Sequence, residues 1–203
     1  EIRLSLVGSE MCIRDSSTNV EILVADAADE KGLKDICSRS KVVLSTGGPF
    51  DRYGSKLVAA CIEHDTHYVD ITGEFFWIRE MIDLHHNEAS SKGVRIIPAC
   101  GYDSIPSDLG TFFANSKIKE PIKRIESFHA GQGGISGGTT ETGFSMGDLK
   151  LGKKMNDPFV LNPENSVSKE QKLLSSDSIG LKKNSLIKSW TGPFIMALSN
   201  TCL

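Results

Sequence analysis

The chain has 203 residues with a formal net charge of −3, of which 39% are hydrophobic and 24% charged; this is an ordinary globular composition, enough for one large domain or two small ones. It excludes collagen-like, mucin-like and coiled-coil chains, and no apolar run approaches the roughly 18 residues that would span a bilayer, nor does a basic segment followed by an apolar core mark a signal peptide. Charge is unevenly divided, 18 acidic against 11 basic side chains over residues 1–116 and 8 against 12 over 117–203; two differently charged faces of one protein account for this, a phosphate-bearing ligand or anionic surface being the sharper reading, while the lack of a dense basic run disfavours nucleic acid as a partner.

From Val20 the pattern is of strands alternating with helices. Val20–Ala25 reads as a buried strand and Glu30–Ser38 as a short helix with Leu33, Ile36 and Cys37 on one side. Lys41–Ser45 is apolar on consecutive positions, as expected where helices cover both sheet faces, and it ends in Thr46-Gly47-Gly48-Pro49. A helix follows over Ser55–His64, then a strand over His67–Ile71 that stops at Thr72-Gly73-Glu74. Phe75–Ser91 carries Phe75, Ile78, Ile82, His85 and Ala89 at helical spacing, with Gly93 placed as its C-terminal cap. Val94–Ala99 makes another strand, and after Pro106 either Ser107 or Asp108 can cap a short helix running through about Asn115.

Beyond Lys117 the rhythm changes. Ile122–Ala130 reads as a strand, Gly131–Thr140 as a Gly/Ser/Thr-rich turn region, Glu141–Leu151 as helical, and residues 152–189 as loop-dominated. Repeated strand-helix-strand units with short connections imply parallel strands. The predicted fold is therefore a doubly wound α/β sheet over residues 20–116, followed by part of a second, smaller α/β or α+β domain over 117–203.

In open parallel sheets ligands bind in the crevice beyond the carboxyl ends of the strands. Those ends carry Asp26-Ala27-Ala28-Asp29, then Ser45 to Phe50, then Thr72-Gly73-Glu74, then Cys100-Gly101-Tyr102-Asp103-Ser104. Glycine beside a small hydroxyl or acidic residue suits a close backbone approach to a ligand; at any single loop a tight turn explains it as well, and the recurrence on one edge favours a crevice. The GxGxxG dinucleotide fingerprint is absent from its expected place. The later cluster Gly131 to Thr139 has Ser136 where a third glycine belongs, and reads as a backbone-lined wall on the substrate side (Gly134, Ser136, Gly137) or as an anion-binding loop.

Tyr102 and Asp103 are placed for orientation or proton transfer, Asp103 having the plainer reading of a turn residue before Ser-Ile-Pro. Glu74 reads either as a polar ligand contact or as a first-turn acid favourable to the helix dipole. His64, His67, His85 and His86 do not share a metal-ligating geometry, since neighbours on a helix point about 100° apart, and no metal site is expected. The five cysteines, Cys12, Cys37, Cys61, Cys100 and Cys202, form no CxxC pair, which suits a reducing compartment. Cys100 at a strand end reads as a nucleophile or as a buried free thiol.

Four stretches in this order, Val42–Gly54 (VVLSTGGPFDRYG), Ala59–Glu74 (AACIEHDTHYVDITGE), Gly93–Gly110 (GVRIIPACGYDSIPSDLG) and Gly133–Thr139 (GGISGGT), resemble the saccharopine dehydrogenase-like oxidoreductases, a family that includes trans-acting enoyl reductases. The resemblance covers about residues 20–150, and Trp190–Leu198 (WTGPFIMAL) is similar as well. It implies a Rossmann-type domain followed by a substrate domain, NADP or NAD as cofactor, and hydride transfer to or from a carbonyl, imine or lipid-like enoyl group; the rival is a non-catalytic nucleotide-binding or lipid-droplet scaffold. Asp26 and Ala27 match the loop expected beside the adenine. Thr46, Gly47, Gly48 and Pro49 match the loop along the cofactor's ribose and nicotinamide side, and Gly101, Tyr102, Asp103 and Ser104 match the loop facing the substrate crevice.

A nicotinamide dinucleotide and a small or lipid-like substrate are thus the implied partners, with a homodimer and a membrane or lipid-droplet association of the intact protein also compatible, in an intracellular, lipid-droplet or mitochondrial setting. Family members begin with a strand and a Gly-rich loop, for which residues 1–19 are too few. Val7–Ser16 instead resembles translated sequencing-adapter sequence, so that residues 1–19 are expected to be non-native and the chain to be an inactive piece of a longer parent, ending inside a continuing segment. Without those first strands, sheet edges and apolar faces should lie uncovered.

Overall fold

Three short parallel strands organise the molecule: β1 (Val42–Ser45), β2 (His67–Asp70) and β3 (Ile96–Ile97), in the order β1-β2-β3. The register sets Val43 beside Tyr68 beside Ile96, and Ser45 beside Asp70. The computed structural model describes residues 23–122, 125–130, 159–163, 166–174 and 181–192, with the single positions 137, 140 and 144.

Each crossover steps the same way across the sheet. Right-handed connections therefore bring their helices to one face. The helices are α1 (Glu30–Ser38), α2 (Phe50–Tyr53), α3 (Ser55–Glu63), α4 (Phe75–Lys92) and α5 (Ile105–Lys117). The core gathers Val58, Cys61 and Ile62 of α3 and Trp77, Ile78 and Met81 of α4 around Tyr68, with Val43 and Ile96 packed against them. On the opposite face of the strands Val42 and Leu44 are 54% and 66% exposed. The expectation that helices cover both faces of β1 is thus not met among the described residues: strand alternation is 2, and only the face carrying Val43 and Ser45 meets a helix layer.

Helix ends follow local chemistry closely. Asp29 accepts a hydrogen bond from the Lys31 amide at 3.1 Å and so caps α1, whose Leu33 and Cys37 are buried. Gly93 closes α4 in the left-handed region at φ +67°, where a side chain would cost about 1–2 kcal/mol. The buried stripe of α4 is Phe75, Trp77, Ile78, Met81 and Ala89, whereas Ile82 and His85 are half-buried. Helix α5 begins earlier than predicted. Pro106 sits in its first turn, where the missing amide costs nothing, so Ser107 and Asp108 lie inside the helix and Ser104 occupies the cap position.

The remaining expectations fare differently. Of the strand expected over 20–25, residues 20–22 lie outside the described residues and 23–25 have no strand pairing. Residues 122 and 125–130 are not a strand either, because an extended segment becomes one only by pairing and no described strand borders it. Gly137, Thr140 and Phe144 have helical backbone; the rest of the Gly131–Thr140 turn and of the Glu141–Leu151 helix lies outside the described residues. Within the polar stretch 152–189 the chain forms α6 (Lys169–Leu174), and β4 (Lys182–Asn184) pairs antiparallel with β5 (Ser189–Thr191). Among the described residues no helix is long and apolar enough to cross a membrane.

Candidate functional site: the carboxyl edge of the parallel sheet

The loops after β1, β2 and β3 leave the sheet on the same edge, and two buried carboxylates stitch them together. Asp70, at the end of β2, accepts hydrogen bonds through Oδ1 from the amides of Thr72 (3.0 Å) and Ala99 (2.9 Å), and its carbonyl accepts from the Cys100 amide at 2.7 Å. Thr72 Oγ1 in turn accepts from the Glu74 amide at 3.0 Å. Glu74 then reaches the first loop: Oε1 accepts from the Phe50 amide at 2.9 Å and Oε2 from the Asp51 amide at 2.7 Å. A continuous line of hydrogen bonds thus runs from the third loop through the second to the first.

Both carboxylates are buried, Asp70 completely and Glu74 at 1% exposure. Burial pushes the Asp70 carboxyl above the usual carboxylate range, against the pull of its two amide donors. Burial does the same to Glu74, opposed by the Asp51 and Phe50 amides and helped by the facing Asp51 carboxyl. Glu74 is therefore neither a direct ligand contact on present geometry nor chiefly a first-turn acid of its own helix; it serves the N-terminus of α2, a helix 24 residues away in sequence.

The first loop has an exposed crest and a buried foot. Thr46 and Gly48 are exposed and Gly47 is half-buried, while Pro49, joined to Gly48 by a cis peptide bond, and Phe50 are buried. Phe50 stacks at a tilt on Trp77 with ring centroids 5.7 Å apart, and Trp77 Nε1 donates to Ser55 Oγ at 2.9 Å. A side chain at Gly48 would meet the Phe50 ring at 3.2 Å, and one at Gly101 would meet Ile71 at 3.3 Å. The edge is thus a hydroxyl and open glycine backbone over a fixed apolar floor, with the second and third loops in close approach. Such an edge offers the backbone access and sparse side chains that a dinucleotide-binding crevice needs.

Asp26 and Ala27 lie in the turn that leads into α1. Asp26 Oδ1 accepts from the Ala28 amide at 2.7 Å, and Lys56 Nζ of α3 donates to the Ala28 carbonyl at 3.3 Å. Gly134 and Ser136 lie outside the described residues, and Gly137 is exposed on helical backbone with open space around its Cα. His67 Nδ1 accepts from the Arg95 amide at 3.0 Å, a structural use. Cys37 and Cys61 are buried free thiols with Sγ atoms 3.6 Å apart.

In the third loop the Gly101 carbonyl accepts from the amides of Ser104 and Ile105, at 3.2 and 3.0 Å, and Ser104 is buried. Asp103 is half-buried within this turn and Tyr102 is 65% exposed. The Tyr102 ring stands edge-on to His129 at 6.0 Å, and His129 Nε2 lies 2.9 Å from Ser107 Oγ and 3.2 Å from Ser127 Oγ. An imidazole with two hydroxyl partners can hold or pass a proton. Sequence reading missed His129 and Ser107, because nothing in their spacing announces that the chain after α5 returns to the third loop. Cys100 is no activated nucleophile: burial, then the charge of Asp70, pushes its thiol up, and it donates to the Ile97 carbonyl at 3.4 Å.

Comparison with known proteins follows the same residues. Residues 8–97 match the family described as "Saccharopine dehydrogenase NADP binding domain", a stretch that contains the first two loops and begins within the 1–19 segment. A Mycobacterium tuberculosis protein named "Putative trans-acting enoyl reductase" is 36% identical over 203 aligned residues, covering 92% of this chain and 48% of the relative. Proteins named "Trans-acting enoyl reductase" from Mycobacterium ulcerans and Mycobacterium bovis are 34% and 33% identical, covering 89% and 97% of this chain and 46% and 50% of theirs. The chain thus spans about half the length of the curated relatives it matches. No solved structure matches it. The nicotinamide dinucleotide expected from the four motifs is the cofactor class of the matched domain, and over residues 8–97 the chain is similar to the NADP-binding domain of the saccharopine dehydrogenase-like proteins.

Proposed function

We propose that the intact protein is an NAD(P)-dependent oxidoreductase that reduces a lipid-like enoyl group, with carbonyl and imine substrates as the neighbouring possibilities of the same chemistry. The observation that carries this reading is the stitched carboxyl edge, whose first loop presents Thr46 and open glycine backbone within the stretch matching the NADP-binding family. The names of the relatives support the enoyl class.

A bound nicotinamide supplies the hydride. The chain's own residues bind and orient: Thr46, Gly47, Gly48 and Pro49 line the ribose and nicotinamide side, and Asp26 with Ala27 the adenine side. Saturating an enoyl group also requires a proton on the carbon next to the one that receives hydride. Tyr102 is the exposed group on this edge that can present one, with His129 beside it and Ser107 and Ser127 holding the imidazole; Gly101, Asp103 and Ser104 shape the turn that carries Tyr102. In this reading residues 117–203 contribute to substrate binding, the setting is intracellular, and a lipid-like substrate accords with lipid-droplet, mitochondrial or membrane association and with a homodimer.

The test is NADPH consumption by the full-length parent protein with crotonyl-CoA as an enoyl thioester probe and with a cyclic imine as comparison. Enoyl-dependent consumption, reduced by Tyr102→Phe without loss of NADPH binding, is the expected result. Tight NADPH binding with no consumption of any of these substrates would identify a nucleotide-binding scaffold instead.

A further inference from the structure

We propose that Glu74 is a positioning residue for the cofactor: its carboxylate fixes the loop Thr46–Pro49 in the orientation that receives the nicotinamide half of the dinucleotide. This rests on the cofactor reading given above and adds to it the group that holds the site in shape.

The first turn of any helix leaves its amides without intrahelical acceptors. In α2, only four residues long, the cap position is Pro49, whose side chain accepts nothing. The Phe50 and Asp51 amides therefore depend on an acceptor from elsewhere, and both find it in the two oxygens of Glu74. A buried amide stripped of its acceptor is costly, and here two would be stripped at once beneath the exposed crest of the loop. Glu74 cannot yield to accommodate a shifted loop. It is buried, its amide is held by Thr72 Oγ1, and its carbonyl accepts from the Ile78 amide at 3.0 Å as α4 begins.

A Ser or Asp at the position of Pro49 would cap α2 locally with no buried carboxyl. Burying one is expensive, so a remote cap is a poor solution to the stability of a four-residue helix. What the remote carboxylate achieves is coupling, since through Thr72 and Asp70 it ties the first loop to the ends of β2 and β3. The loop is thereby locked before ligand arrives, and its ordering is not charged against binding.

The probes are NADPH and 2′,5′-ADP, the adenine half of the dinucleotide, which does not reach the first loop. Binding of each to the full-length parent protein is measured by calorimetry, alongside the melting temperature, for wild type, Glu74→Ala and Glu74→Gln. Glu74→Ala is expected to weaken NADPH by about tenfold or more while leaving 2′,5′-ADP within about twofold, and Glu74→Gln, which keeps one acceptor oxygen, should fall between. Unchanged NADPH affinity in Glu74→Ala overturns the proposal. So does equal weakening of both probes, the signature of a general loss of structure. If wild type binds neither probe, the cofactor reading itself falls; if wild type binds both and the variants match it, only the role of Glu74 falls. Should the Glu74 variants not fold, Thr72→Val removes the acceptor that fixes the Glu74 amide, and a selective loss of about threefold for NADPH is expected, no loss overturning the proposal.

Discussion

The loops after β1 and β3 open on the same edge and are built in opposite ways. The first is held from below: Phe50 packs on Trp77, Glu74 grips two amides, and what remains exposed is Thr46 and glycine backbone. The third is held by its own turn and by Asp70, and what it exposes is a side chain, Tyr102, beside His129. A preformed backbone surface suits binding, since it has little freedom left to lose, whereas a presented phenol suits contact with a reacting group. Under the proposed function, that difference assigns cofactor binding to the first loop and substrate contact to the third.

The largest blow to this contrast is Trp77→Ala. Trp77 is 1% exposed and forms the floor under Phe50, so its loss should destabilise the fold by about 3–5 kcal/mol in denaturant titration. A loss below about 1 kcal/mol would mean that the first loop does not rest on this floor. Gly54→Ala attacks the same floor from the other side. The added Cβ would lie 2.7 Å from Trp77 Cζ2 and 2.8 Å from the Phe50 carbonyl, and since Gly54 has an ordinary φ of −82° the effect is steric. A cost of about 1–3 kcal/mol is expected, with NADPH binding weakened if the loop shifts.

The smallest effect belongs to the third loop's anchor. Asp70 is buried and holds its proton to higher pH than it would in the unfolded chain. Its contribution to stability is therefore fully present below the ordinary carboxylate value of 3.8 and is lost as pH rises through the raised folded value. Asp70→Asn copies the neutral form and keeps the Oδ1 acceptor for Thr72 and Ala99. Relative to wild type, the variant should gain stability in denaturant titrations as pH rises from the ordinary carboxylate value through the raised folded value, and the opposite trend would show that Asp70 is stabilised as the anion. The buried Tyr68 phenol, itself pushed up by burial and by Asp70, and the Cys100 thiol are the other titratable groups facing this carboxyl.

Much of the framework is written in local chemistry. Glu30–Ser38 is bounded by an Asp cap, Gly93 ends α4 because only glycine takes its backbone without strain, and short apolar runs separated by helices imply parallel strands because each crossover helix returns the chain in the same direction. The carboxyl-edge rule likewise picks out the loops at Thr46, Thr72 and Cys100 from one-dimensional information, because strand polarity fixes where loops emerge. Strand ends were less legible: β3 shrinks to Ile96–Ile97, since ladder pairing is settled by the partner β2 and not by the segment's own apolar character.

What the sequence by itself determined is the alternation of strands and helices between Glu30 and Lys117, the edge on which the loops after the parallel strands gather, and the family those motifs resemble, all consequences of short-range propensity and chain direction. Only the tertiary structure decided that Glu74 caps a helix 24 residues away, that Asp70 joins two loops, and that His129 returns to Tyr102 and Ser107. The physical reason is that a hydrogen bond or ring contact between distant segments depends on where folding carries each backbone, and a buried carboxylate has no signature in sequence until the amides it serves are brought to it.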